Sequence, residues 1–150
     1  MNSAPEVELP TPEATQDFGR RLAAQLPPFA LLVLVGDLGA GKTTLMQGLA
    51  AGWGVAREDE VASPTYTLIH EYHRGPRSLF HLDLYRIETA PQLATLGLED
   101  LWLAPPPGQS KLVAIEWGER LEALLPRPYL RLALRVDAAD HRHLAATWVR

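Results

Sequence analysis

Apolar residues recur at every fourth position near the start of the chain, at Ala14, Phe18, Leu22 and Leu26. This spacing predicts an amphipathic helix. Thr11-Pro12-Glu13 supplies a capping hydroxyl, a proline and an acid at the helix start, and Pro27-Pro28 ends the helix.

Two short runs are strongly apolar: residues 30–35 are apolar throughout, and in 111–115 four apolar residues follow Lys111. Such runs are typical of strands that are buried on both faces of a sheet. The first run ends in glycine and is followed by a second predicted helix, which starts near Lys42 and ends at the glycine-rich Gly52-Trp53-Gly54.

Alternating apolar and polar residues at 67–73 and 78–84 predict two antiparallel strands joined by a turn at 74–77. The remaining predicted elements are one or two short helices within 90–103, a helix at 119–125 that Pro126 ends, and a terminal hairpin of strands at 129–136 and 144–149. Together these elements predict one α/β domain over residues 1–150, with three layers and a mixed parallel and antiparallel sheet of six or seven strands.

Composition narrows the class of protein. The chain has 150 residues, of which 47 % are hydrophobic and 21 % charged, as in ordinary globular domains. The net charge of -4 provides no basic surface for unspecific nucleic-acid binding, and the absence of cysteine excludes disulfides and thiolate chemistry. The longest apolar run, 29–35, is too short to cross a membrane, and residues 1–10 do not resemble a secretory signal. We therefore expect a cytoplasmic protein.

The segment Gly36-Asp37-Leu38-Gly39-Ala40-Gly41-Lys42-Thr43 fits the phosphate-loop pattern G-x-x-x-x-G-K-[ST], between a predicted strand and a predicted helix. Such a loop turns backbone N–H groups toward a polyphosphate at a helix N-terminus. Lys42 is predicted to reach the β- and γ-phosphates, and the Thr43 hydroxyl to ligate Mg²⁺. The alternative is an ordinary glycine-rich turn. The nucleotide-binding candidates in this segment are Gly36, Leu38, Gly39, Ala40, Gly41, Lys42, Thr43 and Thr44.

Acids at the ends of the later strands are candidates for the metal-binding carboxylates. Asp83 and Glu116 both occupy such positions, and Mg²⁺ prefers oxygen ligands; the alternative for each is a solvated acid at a strand end. Trp117, directly after Glu116, offers a flat surface for stacking on a purine, and its alternative is a residue of the core or its rim. His81 is expected on the same strand face as Asp83, either as a hydrogen-bond partner or as a satisfied core histidine.

A hydroxyl-rich segment, Ser63-Pro64-Thr65-Tyr66-Thr67, follows the loop's helix, where phosphate-loop proteins place a nucleotide-sensing switch. Its alternative interpretation is a turn that opens a strand.

Taken in order, these segments resemble the bacterial TsaE (YjeE) family, small ATPases that are needed for the threonylcarbamoyl modification of adenosine in tRNA. Residues 36–44 resemble its phosphate loop and 63–68 its first switch. His81-Leu82-Asp83-Leu84-Tyr85-Arg86 resembles its second switch, and Ile115-Glu116-Trp117 a fourth block.

The resemblance implies an Mg²⁺-dependent ATP hydrolase with a phosphate-loop fold that works with the TsaB and TsaD proteins and meets tRNA only through that complex. It implies catalytic roles for Lys42, Asp83 and Glu116, and metal binding by Thr43, Glu116 and Asp83. It also implies nucleotide contacts from Trp117, Thr11, Thr15 and Arg142, and switch roles for Ser63, Thr65, Tyr66, Tyr85 and Arg86.

Three other functions fit the loop. A small GTPase would carry an Asn-Lys-x-Asp element, which this sequence lacks. A small-molecule kinase would use Arg74 and Arg77 as part of a lid. A nucleotide-dependent binding module would dock onto partners without hydrolysis, which the presence of Asp83 and Glu116 disfavours.

Overall fold

The computed structural model describes residues 5–37, 39–62, 68–117 and 119–150. Their centre is a seven-stranded mixed sheet in the order β1-β7-β6-β2-β5-β4-β3. The strands are β1 (Glu6–Leu9), β2 (Phe29–Val35), β3 (Ile69–Arg74), β4 (Arg77–Asp83), β5 (Ser110–Glu116), β6 (Tyr129–Val136) and β7 (Arg142–Val149). The helices are α1 (Pro12–Gln25), α2 (Lys42–Trp53) and α3 (Ala90–Ala94), with 3₁₀ segments at Glu58–Glu60, Leu98–Trp102 and Glu119–Leu124.

Four neighbouring strands, β6, β2, β5 and β4, run parallel to one another. Both faces of this central part are covered, and Leu32, Val33 and Leu34 of β2 are fully buried. That burial explains why the sequence of β2 is apolar throughout instead of alternating. Since the strands are parallel, their carboxyl ends meet along one edge of the sheet, where α/β proteins place their ligands.

The two faces of the sheet carry different layers. Helices α1 and α2 cover one face, where Leu45 and Leu49 pack with Leu32, Leu34 and other inward residues of the strands. Side chains of the loop and 3₁₀ segments after β4 and β5, including Ile87, Leu98 and Leu125, cover the other. The three-layer α/β prediction is confirmed.

Helices α1 and α2 run in the same direction and contact each other through glycines. A Cβ built on Gly48 would lie 2.1 Å from the carbonyl oxygen of Gln16, and one on Gly52 would lie 2.4 Å from that of Arg20. Gly19 makes the corresponding approach from α1. This register places the N-termini of both helices at the same end of the domain.

The strand and helix predictions agree with the structure except at four places, of which the first is the start of β3: this strand begins at Ile69 instead of residue 67, which lies outside the described residues. Strand β1, which pairs antiparallel with β7, was not predicted, because only Leu9 of its four residues is buried and no alternation results. The helix predicted at 119–125 is a 3₁₀ segment, a form common in short connections, and Pro126 follows it closely. Strand β7 begins at Arg142 instead of residue 144. In the described ranges, no helix has the length and apolarity needed to cross a membrane.

Candidate functional site

The phosphate loop connects the carboxyl end of β2 to the start of α2. Gly41 caps α2 with a φ of 102°, a conformation that favours glycine. A Cβ on Gly36 would lie 2.8 Å from the carbonyl oxygen of Leu134 in β6, so the loop and this strand approach closely. The Ala40 N–H donates to the Asp37 carbonyl (3.0 Å) and tightens the turn. Predicted residue Leu38 lies outside the described residues.

A cleft of about 420 Å³ opens beside the loop on the β6 side. Its lining residues are Gly36, Asp37, Ala40, Leu134, Arg135 and Val136. The loop is therefore accessible from the β6 side.

Lys42 lies in the first turn of α2, with Thr43 and Thr44 directly after it. Its side chain is almost completely buried, at 5 % exposure. The Nζ atom donates to the Gly36 carbonyl (2.7 Å) and stands 3.4 Å from the centroid of the Trp117 ring, a cation–π contact. The structure thus brings Lys42 and Trp117 together, a contact that the sequence did not predict.

The indole of Trp117 is also held from a second side. The ring of Tyr85 meets it edge to face, with 5.1 Å between ring centroids. Tyr85 and Arg86, the predicted residues of the second switch, follow β4 directly, and both are exposed.

Asp83 and Glu116 end β4 and β5 and are register partners on these adjacent parallel strands. Both are buried, with exposures of 1 % and 3 %. The carboxylate of Asp83 accepts a hydrogen bond from the Tyr85 backbone N–H (2.9 Å), and the Glu116 carbonyl accepts one from the Leu84 N–H (2.9 Å). The two acids therefore share the sheet edge at which the loop begins.

His81 is a hydrogen-bond partner within this group. Its Nε2 donates to Oε2 of Glu116 at 2.5 Å, and its side chain is fully buried. The sequence left open whether His81 is a hydrogen-bond partner or a satisfied core histidine, and the structure supports the hydrogen-bond partner. The alternation of His81 and Asp83 on one strand indicated the shared face, but nothing in the sequence indicated Glu116 as the partner.

Arg142, the first residue of β7, reaches the phosphate loop from the far side. Its Nη2 donates to the Gly39 carbonyl (3.0 Å), while Nη1 donates to both the carbonyl and the carboxylate of Asp140 (3.0 Å each). The sequence resemblance pointed to Arg142, and the structure places it at the loop.

The β6–β7 turn that presents Arg142 is organised by Asp137. One carboxylate oxygen accepts hydrogen bonds from the N–H groups of Ala139 (2.8 Å) and His141 (3.0 Å), and the other contacts the His143 ring (2.7 Å). The His143 hydrogen bond and these N–H groups stabilise the ionised carboxylate and lower the pKa of Asp137 to about 2. Sequence reasoning found only a turn here.

Thr11 and Thr15 lie at the start of α1, at the same end of the domain as the loop. The Thr11 hydroxyl accepts from the Ala14 N–H (3.1 Å) as the helix cap. Thr15 is buried, and its hydroxyl donates to the Thr11 carbonyl (3.4 Å). The first-switch residues Ser63, Thr65 and Tyr66 lie outside the described residues.

The donor set suits a hard cation. Thr43, Asp83 and Glu116 offer hydroxyl and carboxylate oxygens, the ligand atoms that Mg²⁺ prefers. These residues therefore fit Mg²⁺ chemically.

A strand-loop-helix with the pattern G-x-x-x-x-G-K-T, at the carboxyl edge of a mostly parallel sheet and beside two strand-end acids, defines a phosphate-loop α/β protein. The solved structure of YdiB from Bacillus subtilis is similar, with a TM-score of 0.77, 33 % identity, and coverage of 100 % of this chain and 88 % of that one.

Sequence comparisons identify the family. The family model "Threonylcarbamoyl adenosine biosynthesis protein TsaE" matches residues 9–144, and the chain belongs to the TsaE family. A Synechocystis tRNA threonylcarbamoyladenosine biosynthesis protein TsaE is 45 % identical over 121 residues, 79 % of this chain and 73 % of that protein. The protein of the same name from Bacillus subtilis is 38 % identical over 138 residues, 92 % of this chain and 82 % of that protein.

Proposed function

We propose that the chain is a single-domain, cytoplasmic, Mg²⁺-dependent ATPase that works with TsaB and TsaD to make threonylcarbamoyladenosine in tRNA. Membership of the TsaE family supports the biosynthetic role. The observation that carries the ATPase role is the convergence of Lys42, Trp117, Asp83 and Glu116 where β2, β4 and β5 end. In this proposal, ATP and Mg²⁺ both bind at the carboxyl edge of the sheet.

The loop and α2 supply the positive side of the proposed site. Backbone N–H groups of the loop and the Lys42 ammonium would bind the β- and γ-phosphates, and the Thr43 hydroxyl and Glu116 carboxylate would hold the metal. When bound, Mg²⁺ neutralises charge on the phosphates. Asp83 orients a water whose oxygen bonds to the γ-phosphorus as the bond to the β–γ bridging oxygen breaks, giving ADP and phosphate.

Nucleotide binding requires Lys42 to change partners. Its ammonium now contacts the Gly36 carbonyl and the Trp117 ring, and phosphate oxygens would replace the first contact. Movement of Lys42 would also uncover the indole face, which then stacks on the adenine. Thr11, Thr15 and Arg142 surround the loop and complete the nucleotide contacts. The segments around Thr65 and Tyr85 act as the two switches.

The kinase alternative receives less support from the geometry. Arg77 starts β4 and Arg74 ends β3, so both lie at the edge of the sheet opposite to Asp83. Arg77 also donates to the Trp53 carbonyl (3.0 Å). Neither arginine is placed to cover a phosphate at Lys42.

Phosphate release from ATP and from GTP, with and without added TsaB and TsaD, tests the proposal. We expect release from ATP that rises when the pair is added. ATP binding without release in any mixture would instead indicate a binding module. Release that ignores the pair, or that follows GTP or a small phosphoryl acceptor, would remove the role in tRNA modification.

A further inference from the structure

A fully buried histidine lies directly behind the two strand-end acids. His81 precedes Asp83 by two residues on β4, and Asp83 pairs in register with Glu116 on β5, so all three side chains share one face of the sheet. Leu79 of the same β4 face packs in the core beneath α1 and α2, so this is the face that carries the phosphate loop's helix. His81 is 0 % exposed.

The contact between His81 and Glu116 has a defined direction. A carboxylate oxygen only accepts, so the hydrogen lies on Nε2 of His81 and is donated to Oε2 of Glu116 (2.5 Å). Among the residues that the structure describes, the other ring nitrogen, Nδ1, has no hydrogen-bond partner although it is buried. Burying an unpaired nitrogen is unfavourable, and a leucine would fill the space without that cost. Packing alone therefore does not explain a histidine here.

A single fixed hydrogen bond changes what the glutamate can do. Glutamate has three side-chain torsions, and a donor on Oε2 restricts the direction in which Oε1 points. Mg²⁺ demands near-ideal octahedral geometry, so a ligand that is oriented in advance binds the ion more tightly. Partners that orient metal-binding side chains in this way commonly contribute 10- to 100-fold to metal affinity.

We infer that His81 is a positioning residue that aims the Glu116 carboxylate at the metal, an inference that rests on the proposed Mg²⁺ site. Two substitutions distinguish the effect of the hydrogen-bond donor from the effect of the ring's volume. His81→Leu fills the space but removes the donor, while His81→Gln places a side-chain N–H₂ near the position of Nε2.

The measurement is the Mg²⁺ concentration that gives half-maximal ATP binding, determined by equilibrium dialysis with radiolabelled ATP. We expect His81→Leu to raise that concentration about 10- to 100-fold and His81→Gln to keep it within about threefold of the unsubstituted chain. ATP binding in EDTA should be equal in all three. Thermal melting without nucleotide records the loss of packing separately.

His73→Leu is the matched control, because His73 is an exposed residue of the adjacent strand β3 that contacts the exposed acid Glu71 and the ring of Phe80. Its Mg²⁺ requirement should not change. Equal requirements in all His81 variants, or an equal rise in the leucine and glutamine variants, would overturn the positioning role. If the unsubstituted chain binds ATP without any dependence on Mg²⁺, the proposed function itself fails, and the inference with it.

Discussion

Lys42 donates to a carbonyl of its own loop and lies on the Trp117 ring, and the proposed nucleotide binding would change both contacts. Lys42→Ala should lower ATP hydrolysis by about 10²- to 10³-fold, since the proposed site would lose the side chain that is expected to stabilise the transition state. The fold should survive, because the aliphatic stem contributes only part of the local packing. Phosphate release and circular dichroism on the same sample measure both quantities.

Substitution of Lys111 is the control for Lys42→Ala, since the chain has only these two lysines. Its Nζ donates to the carbonyls of Asp100 and Leu103, remote from the loop. Lys111→Ala should keep normal hydrolysis. Full activity in the Lys42 variant would remove the phosphate-loop assignment.

Trp117 contacts Lys42 with its face and Tyr85 with its edge. Trp117→Ala should weaken ATP binding about 5- to 100-fold, since stacking on a base contributes about 1–3 kcal/mol. Isothermal titration with ATP and Mg²⁺ gives the affinity. Trp148→Ala, which alters a partly exposed tryptophan on β7, should bind ATP normally. Unchanged affinity in the Trp117 variant would make this residue part of the packing only.

The contact between α1 and α2 depends on the absence of side chains at the crossing. Gly48→Ala would place a Cβ 2.1 Å from the Gln16 carbonyl oxygen, so the helices must separate. We expect a loss of at least about 2 kcal/mol in the free energy of unfolding, despite the better helix propensity of alanine. Urea unfolding measures this loss.

Gly75→Ala serves as the control for Gly48→Ala. Gly75 has a φ of 57°, but no atom lies within 4 Å of a Cβ built there. Its substitution should cost only the backbone strain, about 1 kcal/mol. If both variants lose the same free energy, close helix contact is not what Gly48 provides.

The β6–β7 turn depends on the charge of Asp137. Its pKa of about 2 lies below the ordinary value of 3.8, because the His143 ring and backbone N–H groups bind the ionised form. Because the pKa is lower in the folded state, the ionised carboxylate stabilises the fold fully when the pH is above the pKa of the unfolded chain. This stabilisation is lost as the pH falls through about 2. Asp137→Asn should therefore lower Tm by a few degrees at neutral pH, and the difference from the unsubstituted chain should shrink between pH 3.8 and 2.

Melting curves of both proteins across that pH range test the expectation. Asp59→Asn, at an exposed acid that pairs with Arg57, should show little difference from the unsubstituted chain at either end of the range. A Tm difference for Asp137→Asn that persists unchanged at pH 2 would mean that shape, and not charge, organises the turn.

At the scale of the whole molecule, ATP with Mg²⁺ should stabilise the assembled sheet. A ligand at 100 times its Kd that binds only the folded state adds about 2.7 kcal/mol, which for a domain of this size raises Tm by about 5–10 °C. Scanning calorimetry with and without nucleotide measures the shift. Lys42→Ala should show little of it, and an equal shift in that variant would place the nucleotide elsewhere.

Patterns local in sequence were predictable, and contacts between distant segments were not. The apolar run of β2, the repeat of α1 and the phosphate-loop motif each identify an element on their own. Strand β1 has one buried residue and gave no signal. The contacts His81–Glu116 and Arg142–Gly39 join residues 35 and 103 positions apart, and they follow from strand order, which a single sequence does not contain.

Strand order also has a kinetic consequence. The hairpins β3–β4 and β6–β7 join neighbours in sequence, whereas β2 pairs with β5 and β6, which lie far along the chain. Long-range parallel pairing forms slowly, so we expect the hairpins to form first. The elements that carry Lys42, Asp83 and Glu116 come together only when the parallel strands in the centre of the sheet have paired. If nucleotide binds at the proposed site, it binds after the slow step, so we expect it to slow unfolding while leaving the folding rate unchanged.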